Sequence, residues 1–127
     1  MSLSRNDILN ADDLKKEKVD VPEWGGFIYM KTQTGTEKDA FESSMLNAKG
    51  EVSLDNLRAR MVAMCAVDEE SNRIFSDADV EALGKKSAAA LDRCFSVAKR
   101  LNGTTDEDIE QMGKLLEQTQ DDASTSE

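Results

Sequence analysis

The chain has 127 residues and no histidine. That absence removes the Ser-His-Asp and Cys-His arrangements of nucleophilic catalysis, and with them the commonest zinc ligand. Proline occurs once, cysteine twice, and aromatic residues make up 5% of the chain. A single proline leaves almost the whole length free to be helical, and so few aromatics leave a core to be built from Leu, Ala, Met and Val. There is no phosphate-binding loop, because Gly25-Gly26 is not followed by Lys-Ser/Thr. Carboxylates are plentiful, but none is paired in a way that sets it apart. Neither catalysis nor a cofactor is expected.

Long apolar runs are also missing. Nothing approaches the roughly 20 residues that cross a bilayer. The opening Met1-Ser-Leu-Ser-Arg-Asn-Asp has none of the apolar core of a signal peptide. A soluble protein that stays where it is made is expected. Cys65 and Cys94 have no CxxC spacing and sit beside Ala, Met, Phe and Val. They read as two reduced packing residues, in keeping with a reducing compartment.

The formal charge is -10, but it is unevenly spread. Residues 1–50 carry seven basic against nine acidic side chains, residues 51–103 eight against nine, and residues 104–127 one against eight. The last segment repels phosphate backbones and anionic lipid, and no basic cluster elsewhere compensates. Nucleic acid and membrane are therefore not expected as partners.

What the chain does have is a change of period. Ile8, Leu9 and Leu14 supply the apolar contacts of a short helix or turn over 6–17, with Asn6 available as its cap. Val19 and Val21 then alternate with Asp20, Pro22 excludes a helix interior, Gly25-Gly26 permits a turn, and Phe27 to Thr34 reads as a returning strand. The sole proline, tryptophan and tyrosine all fall in this stretch. With a two-residue turn at Gly25-Gly26, Val19, Val21, Ile28 and Met30 share one face, while Pro22, Trp24, Phe27 and Tyr29 share the other, with Asp20 opposite Lys31. Pro22 would then remove a ladder hydrogen bond, which a longer loop or a bulge would avoid. Two largely apolar faces on one hairpin are more than a small core covers, so Trp24, Phe27 and Tyr29 are candidate protein-contact residues, most of all between copies of this chain.

Beyond Gly35 the spacing is helical throughout. The expected fold is α+β, mainly α, with the hairpin at about 19–33 packed on helices at about 36–48, 54–66 and 77–101, all within one folded domain over 1–103. Thr36 with Asp39, Ser53, and Ser76 with Asp79 are the expected helix starts, and Asn102-Gly103 is the expected stop of the longest and most central helix. An acidic helix capped by Thr104 and a disordered tail are expected over 104–127. The six methionines, including Met45, Met61, Met64 and Met112 on helical stripes, read as core filling.

One loop imitates an ion site. Laid on a calcium-binding loop, Asp68, Glu70, Asn72 and Asp79 fall at ligand positions, but Arg73 stands where the loop needs glycine and Asp79 where it needs the longer Glu. A polar turn, with Ile74 and Phe75 dipping into the core and Ser76 capping the next helix, is the simpler reading. An acidic regulatory adaptor or ion-sensing module using residues 68–79 is the alternative function.

Taken in order, VDVPEWGG at 19–26, TEKDAFE at 36–42, and NLRARMVAMCAVDEESNRIFSDADVEALGKKSAAALDRCFSVAKRLNG at 56–103 resemble the tail assembly chaperone family of long-tailed, lambda-like siphoviruses. The resemblance spans roughly residues 7–103. It implies an assembly factor in the cytoplasm of the bacterial host that is absent from the mature virion. Such a factor binds the tape measure protein, keeps that long apolar helical chain soluble, and helps recruit tail tube protein around it. It further implies, for many members, a longer frameshifted form; a homo-oligomer is expected from the hairpin's second apolar face. No catalytic, cofactor or metal residue is carried over. The segment after Asn102-Gly103 departs from the family pattern.

Overall fold

The computed structural model describes residues 1–104, 107–111 and 114. In chain order the elements are α1 (Arg5–Leu9), β1 (Lys16–Val21), a 3₁₀ turn (Pro22–Trp24), β2 (Gly26–Lys31), α2 (Gly35–Ser43), α3 (Leu57–Cys65), β3 (Ala66–Val67), a second 3₁₀ turn (Asp77–Asp79), α4 (Val80–Leu83) and α5 (Ala88–Leu101). The three strands form one antiparallel sheet in the order β1-β2-β3. The fold is α+β and mainly α, with the hairpin laid on the helices.

The hairpin keeps the expected division of faces but not the expected turn. Its strands begin at Lys16 and close at Val21↔Gly26, so Asp20 faces Phe27 rather than Lys31. Pro22 leaves the ladder and takes the first position of the 3₁₀ turn, where its missing N–H costs nothing, and Gly25 supplies the left-handed φ of 81° that closes it. Val19, Val21 and Met30 are buried on the inner face.

Helix α3 lies at the centre of the core, a place the sequence pattern assigns to the longest helix. Ala59, Met61, Val62, Ala63 and Cys65 are all buried; only Arg58, in the first turn, is exposed, so the apolar remainder of the helix is covered by its neighbours. Helix α5 is instead amphipathic. Ala90, Leu91, Cys94, Phe95 and Ala98 face inward at spacings of three and four, while Asp92, Arg93, Ser96 and Arg100 are exposed.

Several boundaries differ from the expected ones, each for a local reason. Helix α2 is capped by Thr34, whose Oγ1 accepts from Glu37 N at 3.1 Å while the Glu37 carboxylate accepts from Thr34 N at 2.9 Å. It ends at Ser43, where Ser44 Oγ donates to Phe41 O at 2.6 Å. Helix α3 starts at Leu57, after Asn56 in the left-handed region at φ 55°. The single helix expected over 77–101 is broken. Ser76 and Asp79 do form a capping box, but it opens only the 3₁₀ turn that leads into α4. The helix then stops before Gly84, where an added Cβ would lie 2.6 Å from Asn56 Oδ1. Ser87 starts α5 afresh by accepting from Ala90 N at 3.3 Å.

The C-terminal stop is as expected, with Asn102 at the cap and Gly103 at φ 63°. Residues 107–111 are helical, and Ile109 among them is buried. The tail expected to be disordered lies outside the described residues. At the other end the expected contacts of Ile8, Leu9 and Leu14 are not made, and all three side chains are exposed.

Candidate protein-contact surface

Two ion pairs fix the hairpin on α5. Arg93 holds Glu23 with both carboxylate oxygens, at 2.7 and 2.9 Å, and Arg100 holds Glu17. Paired with that guanidinium, the Glu23 carboxyl is drawn from its usual range down to about 2. Glu17 shifts the same way because Arg100 donates to it. These clamps hold the inner face on the helices and leave the outer face of the sheet turned away from them.

On that outer face Phe27 and Tyr29 meet edge to face, with ring centroids 5.8 Å apart. Each ring carries a lysine from the neighbouring strand. Lys18 Nζ lies 4.2 Å from the Phe27 centroid and Lys16 Nζ lies 4.9 Å from that of Tyr29. Phe27 remains 43% exposed, an apolar anchor with Asp20 opposite it on β1, 4.0 Å from Lys18. Lys16 and Lys18 were not among the expected contact residues. Their signal is the alternation Lys16-Glu-Lys-Val-Asp-Val, which extends the strand three residues before Val19.

Trp24 does not join this pair. A four-residue connection replaces the two-residue one, so the 3₁₀ turn carries the indole out of the ladder to pack, half-buried, against the core. There it lines a depression of about 400 Å³ with Glu23, Phe75, Leu83 and Lys86. Of the three candidate contact residues the structure brings two together and places the third on a separate surface.

The acidic loop is organised by its own hydrogen bonds. The Asp68 carboxylate accepts from Glu70 N and Asn72 N at 3.0 and 2.9 Å. Arg73 donates to Ala63 O and to Asp77, both at 2.9 Å. An arginine inside the loop and a first carboxylate already engaged by the backbone fit a divalent cation poorly. Phe75 packs against the core, but Ile74 does not dip inward and is 42% exposed. The bridge of Val67 to Arg73 sets Arg73 and Phe75 on one side and Ile74 on the other.

Both thiols are buried and free. Burial pushes Cys65 up to about 12 and Cys94 up to about 11, so neither is a nucleophile at neutral pH.

No family profile matches the chain, and no curated protein matches it. A solved structure does. The chain is similar in fold to the bacteriophage HK97 tail assembly chaperone. The TM-score is 0.53 at 16% sequence identity, and the match covers 76% of this chain and 94% of the HK97 chain. At that identity the likeness is one of fold, and residue roles do not pass from one chain to the other through it.

Proposed function

We propose that this chain is a tail assembly chaperone of a long-tailed phage. The observation that carries the reading is the fold shared with nearly the whole HK97 tail assembly chaperone. The order of motifs over residues 7–103 supports it independently. In this reading the protein works in the cytoplasm of the bacterial host, catalyses nothing, and is absent from the finished virion. It associates with other copies of itself, binds the tape measure protein, and assists assembly of tail tube protein around that client.

Phe27 and Tyr29 are the client-contact residues of this reading. An edge-to-face aromatic pair flanked by Lys16 and Lys18 offers a desolvatable anchor with a charged rim, and aromatic anchors are where binding energy concentrates. Replacing Phe27 and Tyr29 together with serine should weaken tape measure capture by about 2 kcal/mol or more, the scale of an interface hot spot. Pull-down with the tape measure protein is the measurement, with circular dichroism as the folding control. Unchanged capture by a folded double variant would remove these residues from the interface.

A further inference from the structure

Helix α1 is five residues long and buries none of them. So short a helix is marginal in water by itself, because nucleation fixes several residues for a single hydrogen bond. Its start is nevertheless fully built. Ser4 Oγ accepts from Asp7 N at 3.1 Å, and the Asp7 carboxylate accepts from Ser4 N at 3.0 Å. Leu3 and Ile8 hold the two positions of a hydrophobic staple. Yet Leu3 is 64% exposed, Ile8 56%, Leu9 64% and Leu14 49%. The arm is anchored at its base, where Thr32 N donates to Lys15 O at 2.8 Å. What it offers is an apolar ridge that no other described residue of its own chain covers.

A surface of matching character lies at the other end of the hairpin. The Trp24 depression adjoins a second one through Phe75, Leu83 and Lys86, and Ala82 extends the apolar floor. The acidic side chains on its rim are committed, Glu23 to Arg93 and Asp79 to the backbone and hydroxyl of Ser76. Lys86 lines both depressions and Lys85 precedes it in the chain; both are exposed and form no ion pair among the described residues. The uncommitted rim charge is therefore positive. On the arm, Arg5 donates to Asn6 near the start of the helix, while Asp12 and Asp13, just before Leu14, are exposed and likewise form no ion pair, so the end of the arm next to the hairpin is negative.

We propose that the N-terminal arm of one copy, residues 3–14, docks in the Trp24–Phe75–Leu83 depression of a second copy, with Asp12 and Asp13 against Lys85 and Lys86. The occupant belongs to another copy because β1 runs from the arm to the turn. The arm therefore leaves the open end of the hairpin while the depression lies at the turn end, about 20 Å of strand away. This contact is independent of client capture by Phe27 and Tyr29, and it is measured on the chain alone.

Two experiments test it on the full-length chain. Leu9→Cys and Ala82→Cys variants, mixed and oxidised, should yield a disulfide-linked pair containing one of each, in excess of what either variant gives alone. The native thiols are buried and do not compete. In light scattering, the Ile8→Asp, Leu9→Asp double variant should keep its circular dichroism and associate at least about tenfold more weakly than the wild type, as expected when two apolar side chains lose their burial. Reversing Asp12 and Asp13 to lysine should weaken association, and adding Lys85→Glu and Lys86→Glu should restore it. A wild type that stays monomeric at every concentration, an arm variant that associates unchanged, or a disulfide formed only within one chain when both cysteines share it would each overturn the proposal.

Discussion

At the scale of single residues, the clearest electrostatic feature is the Glu23–Arg93 clamp. The folded carboxyl sits near 2, below its ordinary 4.5. Its contribution to stability is therefore fully present above about pH 4.5 and is lost as the pH falls toward 2. Glu23→Gln should flatten the fall of the melting midpoint over that window. The pair is solvent-screened, so the difference should be no more than a few degrees. Thermal melts of the two proteins from pH 6 to pH 2 are the check, and parallel curves would show that Glu23 takes no part in the acid transition. Cys65 and Cys94 need no such test to be placed, because burial is the largest cause of the raised position of both thiols.

At the scale of elements, period-two alternation made the hairpin faces legible, and parity survived a register shift because the turn lengthened by an even number of residues. Trp24 was not legible, since its place depends on the turn rather than on the strand pattern. The broken helix was not legible either. Helical spacing on both sides of Gly84 looks continuous in one dimension, although the gap from Leu83 to Leu91 holds no large apolar side chain. The break fixes the sign of a mutation. Ser87→Ala removes the cap on Ala90 N and should cost about 1 kcal/mol. In an unbroken helix the same change would stabilise, because alanine is the better helix former. Urea denaturation distinguishes the two, and a raised midpoint would contradict a helix start at Ser87.

At the scale of the whole molecule, the described chain shows a buried helical centre and two outward features that its own core does not consume, the Phe27–Tyr29 face and the N-terminal arm. The first was legible as an excess of apolar side chains on one short hairpin. The second was not, because an amphipathic pattern shows that a helix buries one side but not what lies against it. Both suit a protein that works by holding other chains, which is what the proposed function requires. The most direct test of that reading is co-expression with the tape measure protein, followed by measuring how the client divides between supernatant and pellet. A chaperone of this kind predicts a client that is soluble and co-purifies in the presence of this chain and pellets in its absence. The same division in both cases would contradict it.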